Sequence, residues 1–294
     1  MIVITTPAGQ IGSQVLGNLL DSDEQLRVIV RDASNLAADV RERVDIVEGS
    51  HSDAAVVDKA FSGADAVFWL VPPDPRAVSV EAAYVGFTQP AAESFRTHGV
   101  GRVVAVTALG RGTPWADRAG YVTGSLAMDD LIAASGAGLR ALCNPSFMDN
   151  TIRQVSSIRD QGLFFSPIAG DRKLPTVATS DIAAAAARLL LDAGWTGFGE
   201  VPLLGPEDLS FNDMAGIMSD VLGKEVRFQR TSFEAYKERF VSFGMTDAMA
   251  QGMTDMAWAK NEGLDNGVQR TPENSTPTSF RQWTDEVLKP AVTS

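Results

Sequence analysis

The chain has little of the residues that make cross-links and metal sites. The single cysteine, Cys143, cannot form an internal disulfide. A chain without disulfides is typical of the reducing cytoplasm. The two histidines, His51 and His98, have no nearby cluster of cysteines or carboxylates, so no metal site is predicted.

Positive charge is also scarce. The chain has 25 Lys+Arg against 37 Asp+Glu, a net charge of -12, and no run of basic residues. Such a surface repels nucleic acid and anionic lipid, so neither is an expected partner. No apolar stretch approaches the about 18 residues of a membrane span, and the chain opens on a strand-like run instead of a leader. We therefore expect a cytoplasmic protein, with no indication of its oligomeric state.

What the chain does have is the composition of a folded α/β protein, with 45% hydrophobic residues. Short β-branched runs alternate with helical patterns, which predicts a doubly wound parallel sheet with the strand order 3-2-1-4-5-6. The predicted strands are Ile2–Thr5, Leu26–Val30, Asp45–Val47, Ala66–Val71, Val103–Thr107 and Leu139–Cys143.

After Asn150 the alternation ends. We predict a dinucleotide-binding domain over residues 1–150, its sheet extended by part of 175–205, and a smaller, mostly helical substrate lobe over 151–294. This half contains a predicted helix at Ile182–Asp192, a strand at Glu200–Leu204 and a helix opened by the capping pair Ser210 and Asp213.

The turn between the first strand and the first helix predicts a dinucleotide site. Its sequence, TTPAGQIG, places Thr6, Ala8, Gly9, Gln10, Ile11 and Gly12 where a pyrophosphate needs open backbone and a helix N-terminus. Gly9 and Gly12 supply the open backbone. The alternative is a tight strand-to-helix turn that binds no ligand.

The end of the second strand predicts which dinucleotide is bound. Arg31, with Ser34 as a second donor, suits the 2′-phosphate of NADP. Asp32 would repel that phosphate if its side chain pointed toward it, and NAD stays possible. The alternative is that Arg31 is a surface arginine.

In these features the chain resembles the NmrA-like family of atypical short-chain dehydrogenases, which bind NAD(P). The resemblance runs from residue 1 to about 230 and is carried by TPAGQIG, VRD, GSHSD at 49–53, LVP at 70–72, VVAVTALG, SGAGLRALCNPSFMDN, TSDIAAAA and LLGPEDLSFNDMA. The turn is similar to the GxxGxxG of that class, with Thr6 in place of the first glycine.

The resemblance implies positions for the remaining parts of the cofactor. Gly49, Ser50 and His51 would border the adenine, and Val71 and Pro72 the ribose. Thr107, Asn144, Pro145 and Phe147 would border the nicotinamide. The stretch at 49–53 can equally be a helix cap.

Proton donation is the weak part of the pattern. Short-chain dehydrogenases commonly pair a tyrosine with a lysine four residues later, and here Tyr121 is followed by Ser125. Without a nearby cation, Tyr121 keeps a pKa of about 10 and is a poor acid at neutral pH. Tyr121 and Thr107 are the catalytic candidates, with Lys173 as a further donor. A quinone could instead take its proton from water.

A set of methionines hints at the substrate. Met245, Met249, Met253 and Met256 are spaced along one helical face, which suits a broad aromatic ligand or, alternatively, plain core. The chain is also similar to NmrA-like proteins that accompany aromatic polyketide tailoring enzymes. We therefore expect a small hydrophobic aromatic substrate.

Three functions are compatible with these residues. The first is an NADPH-dependent oxidoreductase acting on a quinone or a polycyclic, polyketide-like aromatic. The second, motivated by Ser125, is a non-catalytic sensor or accessory protein that responds to NAD(P). The third is a tailoring monooxygenase on an aromatic polyketide.

Overall fold

The computed structural model describes all 294 residues. Twelve strands form: β1 (Ile2–Thr5), β2 (Leu26–Val30), β3 (Asp45–Glu48), β4 (Ala66–Trp69), β5 (Arg102–Ala108), β6 (Gly138–Asn144), β7 (Ser146–Phe147), β8 (Leu163–Ser166), β9 (Leu174–Val177), β10 (Phe198–Pro202), β11 (Asp208–Leu209) and β12 (Arg227–Arg230).

Twelve helices accompany them. They are α1 (Gln10–Leu19), α2 (Ala38–Arg41), α3 (Ala54–Phe61), α4 (Phe87–His98), α5 (Tyr121–Ala134), α6 (Val155–Gln161), α7 (Thr179–Leu191), α8 (Phe211–Leu222), α9 (Phe233–Ser242), α10 (Asp247–Asn261), α11 (Phe280–Trp283) and α12 (Lys289–Thr293). No helix is both long enough and apolar enough to cross a bilayer.

Seven parallel strands form the central sheet, in the order β10-β6-β5-β4-β1-β2-β3. The predicted doubly wound fold and the order of its first six strands are confirmed, and β10 adds a seventh strand beside β6. Because all seven strands run the same way, their carboxyl ends lie along one edge, where an open α/β sheet binds its ligand.

Helices cover both faces of the sheet. On one face α1 and α7 pack together over Ile4, Val28 and Val104, and on the other α3, α4 and α5 cover Val67, Trp69 and Ala105. These strands are buried on both faces, which explains their continuous β-branched sequence.

The sequence did not reveal α4. The helix contains Pro90, whose nitrogen cannot donate to the preceding turn, and a wider helical turn at Ala82–Gly86 runs directly into it. Proline and the wide turn together obscure the regular spacing of its buried face.

The second half has its own core, with Phe164, Met218 and Trp283 at its centre. It contains more sheet than expected: β7, β9 and β11 form one small sheet, and β8 and β12 form another. These strands are two to four residues long, too short for a visible alternation. The division into two domains at residue 150 stays a prediction.

Candidate functional site

The turn after β1 has the backbone of an anion cradle. Thr6 adopts a left-handed conformation with φ 52°, and the Gly9 N–H donates to its carbonyl oxygen at 2.8 Å. The helix N-cap is Gly9, which offers no side-chain acceptor, and the first turn contains no acidic residue. The first N–H groups of α1 are therefore open to an anion.

Two further observations test whether a pyrophosphate fits here. The hydroxyl of Thr6 is buried and has no partner within the protein. A Cβ on Gly9 would lie 3.2 Å from the Thr6 carbonyl, so a side chain would crowd the cradle. A phosphate group fits as the acceptor of the Thr6 hydroxyl, and the lack of a side chain at Gly9 leaves the cradle open to it. Ala8 is exposed at the tip of the turn, whereas the Ile11 side chain lies in the core.

Gly12 plays a different part from the one expected. Its backbone faces inward, and a Cβ there would stand 2.1 Å from the carbonyl oxygen of Thr6. Gly12 thus lets α1 approach β1 closely, and it does not open a surface to the ligand.

Arg31 lies exposed just after β2 and forms no ion pair, in contrast to Arg27, whose guanidinium lies 3.5 Å from Asp45. The neighbouring Asp32 carboxylate accepts the N–H of Ser34 at 2.8 Å, and hydrogen bonding from the side chain and then the backbone of Ser34 lowers the pKa of Asp32. Glu48 accepts the Ala33 N–H at 2.9 Å. Both carboxylates are therefore held by backbone, and Arg31 is left free for a phosphate.

The segment after β3 divides into a surface part and a core part. Gly49 has φ 143° and packs on Val56, where a Cβ would come within 2.4 Å. Ser50 bonds Ser52 at 2.8 Å, and Asp53 caps α3. Both expected roles, a ligand border and a helix cap, fit this segment.

His51 is buried instead of facing a ligand. Its Nε2 donates to the Leu70 carbonyl at 3.0 Å, and its ring makes edge contacts with Trp69 and Phe87. Burial lowers its pKa to about 4, so the ring is neutral. His51 positions the end of β4, which leads to the buried Val71 and the exposed Pro72.

The ends of β5 and β6 are joined by a buried amide. Asn144 donates from Nδ2 to the carbonyl of Thr107 at 3.1 Å, and its Oδ1 has no partner. Pro145 is buried and Phe147 is half-buried against the α1 face of the sheet. Asn144 is the last residue of β6, Pro145 follows it directly and Phe147 lies in β7, so all three are at the carboxyl edge of the sheet.

Thr107 belongs to a buried hydroxyl and carboxyl cluster. Its Oγ1 donates to Asp129 at 2.7 Å and lies 2.8 Å from Ser125 Oγ. Burial raises the pKa of Asp129 to about 7, partly offset by the Thr107 hydrogen bond. Ser125, in the position where a lysine was expected, thus bonds Thr107 and supplies no charge to Tyr121.

Tyr121 begins α5 and lies in a pocket of aromatic and methionine side chains. Its ring meets Tyr84 edge-on at 5.9 Å and packs with Met249 of α10. Burial raises its pKa to about 12, with a further rise from Tyr236 and an opposing effect of Arg153. Tyr121 therefore stays protonated at neutral pH.

The methionines are placed partly as expected. Met249 is buried in this pocket, with Met253 and Met256 half-buried beside it. Met245 precedes α10, which begins at Asp247, so it is not part of the helical face. Lys173 is an exposed loop residue 3.9 Å from Asp213.

Sequence reasoning missed four residues of this region: Tyr84, Asp129, Arg153 and Tyr236. A signal existed for Asp129, because Tyr121, Ser125 and Asp129 recur every four residues and share one helix face. No local pattern marks the other three, which come from separate segments.

Comparisons with known proteins show the family to which the chain belongs. A sequence profile described as NAD(P)H-binding matches residues 8–193. An NAD(P)H azoreductase of Xenophilus azovorans is 26% identical over 87% of this chain and 86% of its own. A (4-alkanoyl-5-oxo-2,5-dihydrofuran-3-yl)methyl phosphate reductase of Streptomyces griseus is 26% identical over 97% of both chains.

Among solved structures, an NADPH-dependent quinone oxidoreductase of Escherichia coli complexed with NADPH superposes with a TM-score of 0.78. It is 22% identical, and the match covers 100% of this chain and 99% of the other. This likeness confirms the fold of the whole chain.

Proposed function

The chain belongs to the NAD(P)H-binding family, and from this we propose that it is an NADPH-dependent oxidoreductase that reduces a quinone or polycyclic aromatic substrate. The observation that carries the proposal is the pairing of an open phosphate cradle at Thr6–Gly9 with a free Arg31 at the next strand end. The names of the relatives, an azoreductase and a quinone oxidoreductase, support it.

Cofactor binding divides between backbone and side chain. The first turn of α1 holds the pyrophosphate, and Arg31 holds the 2′-phosphate, while Asp32 and Glu48 are kept on main-chain N–H groups. When bound, the reduced nicotinamide supplies a hydride. Thr107, Asn144 and Pro145 at the ends of β5 and β6 border its place.

The substrate lies over Tyr121, between the sheet edge and α10. Tyr84, Met249 and Met253 form an apolar wall that excludes water from a flat ring system. Because the Tyr121 pKa is about 12, its hydroxyl can donate a hydrogen bond to a developing oxyanion but is a weak proton source. A reduced quinone, whose oxyanion is stable, takes its protons from water.

One observation favours a second candidate, the NAD(P) sensor. Ser125 is hydrogen-bonded to Thr107, so the position where a lysine was expected supplies no cation to Tyr121. Steady NADPH oxidation with any quinone would exclude a purely sensory role.

The test combines binding with turnover. Calorimetric titration should show NADPH binding about tenfold to hundredfold weaker in Arg31→Ala, the loss expected for one charge-assisted contact, with NADH binding unchanged. Arg41→Ala, another exposed arginine of the same region, is the matched control. NADPH oxidation with menadione then tests the reaction. Equal losses for both cofactors, or for both variants, would contradict the role of Arg31.

A further inference from the structure

One buried carboxylate joins the starts of two neighbouring helices. Asp149 is 8% exposed, and each of its oxygens accepts one hydrogen bond. The side-chain amide of Gln10, the first residue of α1, donates to Oδ1 at 2.6 Å, and the main-chain N–H of Thr179, the first residue of α7, donates to Oδ2 at 3.0 Å. Gln14 of α1 also donates to the Thr179 hydroxyl at 3.1 Å. Asp149 therefore holds the two helices together at the edge that contains the dinucleotide cradle.

Neither helix supplies this link from its own sequence. The N-cap residues, Gly9 of α1 and Ala178 of α7, make no side-chain capping bond. Asp149 comes from a third segment of the chain and is the acceptor that α7 lacks at its start. On α1 it binds the side chain of Gln10 and not the main-chain N–H groups, so these stay open to an anion.

The segment that contains Asp149 also borders the other end of the proposed cofactor site. It begins at Asn144, the last residue of β6, whose Nδ2 donates to the Thr107 carbonyl at 3.1 Å. Strand β7 then pairs with β9, and β9 leads into α7. Asp149 follows directly after this pairing. Residues 144–149 therefore run from the place proposed for the nicotinamide to the place proposed for the pyrophosphate.

A dinucleotide is bound at both places at once, so the separation between them affects its affinity. A site that already has the required separation loses little free energy in adapting to the cofactor. We propose that Asp149 is a positioning residue, which acts through Gln10 and holds the pyrophosphate cradle and the nicotinamide edge at the separation that the intact cofactor requires. This inference rests on the proposed function and adds a residue that acts on the cofactor through another side chain.

The test compares the intact cofactor with its adenosine half, adenosine 2′,5′-bisphosphate, which lacks the nicotinamide. In Asp149→Ala the dissociation constant for NADPH, measured by calorimetry, should rise by about tenfold or more, the loss expected for a hydrogen bond to a charged group. The dissociation constant for the half cofactor should stay within about threefold, because it does not bridge the two places. Asp149→Asn should retain most of the NADPH affinity, because an amide can accept from Thr179 and donate to the Gln10 carbonyl. Asp181→Ala is the matched control, because Asp181 is a buried carboxylate of α7 whose oxygens bind Thr278, at 2.8 and 3.1 Å, and no residue of α1.

A second variant tests the same link should Asp149→Ala fail to fold. Gln10→Ala leaves the bond between Asp149 and Thr179 in place, and it should show the same selective loss of NADPH affinity. Because the two side chains act as one unit, the double variant should lose no more than either single variant.

Four results would overturn the inference: equal losses for NADPH and the half cofactor, an equal loss in Asp181→Ala, a loss in Asp149→Asn as large as in Asp149→Ala, or additive losses in the double variant. These measurements are all of binding. Wild type that binds NADPH but reduces no quinone would therefore exclude the reductase proposal alone, and the variants would still decide the role of Asp149.

Discussion

Replacing Asp129 by asparagine should change how stability depends on pH. Asp129 is fully buried beside Thr107, and one of its oxygens has no partner. Burial raises its pKa from 3.8 to about 7. An acid whose pKa is raised by folding binds its proton more tightly in the folded state, so its contribution to the free energy of unfolding is lost as pH rises.

The magnitude follows from the two pKa values. Relative to low pH, the titration of Asp129 lowers the free energy of unfolding by about 2 kcal/mol at pH about 5.5 and by about 4 kcal/mol at pH about 8.5. The loss grows by about 1.4 kcal/mol for each pH unit between the two pKa values. An asparagine side chain does not ionise and carries no such cost. The difference in unfolding free energy between Asp129→Asn and wild type should therefore shift by about 2 kcal/mol in favour of the variant across this range.

Urea unfolding followed by tryptophan fluorescence measures this difference at each pH. The unpaired amide N–H groups of the variant add a constant penalty, so the slope is the diagnostic quantity. His51, whose pKa falls to about 4, makes wild type more stable as pH rises to about 6.5, but it does so equally in both proteins. Asp130→Asn, at an exposed neighbour, is the control. Parallel stability curves for Asp129→Asn and wild type would refute the reasoning.

Three further outcomes are expected. Gly12→Ala should lower the free energy of unfolding, measured in urea, by about 3 kcal/mol, because the new Cβ would stand 2.1 Å from a backbone oxygen. The control is Gly17→Ala on the same helix, whose Cβ would meet no atom within 4 Å. This variant should be neutral or stabilising. Gly120→Ala should destabilise the contact of α5 with α10, because the new Cβ would come 1.9 Å from a carbonyl oxygen. Limited proteolysis should then cut α10 more readily than in the control Gly216→Ala, whose Cβ would meet no atom within 4 Å. Tyr121→Phe should lower kcat with menadione by less than about tenfold, and a loss of about a hundredfold would show that Tyr121 is the proton donor after all.

Local patterns were sufficient for the order of the first six strands of the central sheet. Alternating strands and helices, together with the right-handed crossover, leave few possible orders for six parallel strands, and the predicted order is the one observed. The glycine-containing connection from the first strand to the first helix also predicts a dinucleotide turn, and the chain belongs to the NAD(P)H-binding family. The serine four residues after Tyr121 is hydrogen-bonded to Thr107, and the role of Tyr121 in proton transfer stays a prediction.

Tertiary structure alone decided which side chains lie around Tyr121. Tyr84, whose ring centroid lies 5.9 Å from that of Tyr121, and Met249, which packs beside both, come from two other segments of the chain. The sequence predicts that Gly12 leaves open backbone for the cofactor, but in the structure Gly12 packs directly against the backbone of Thr6. The family resemblance places His51 beside the adenine, but in the structure its side chain is buried against Trp69 and Phe87. Local sequence determines the period and ends of each element, whereas the direction of a side chain depends on what the rest of the chain packs against it.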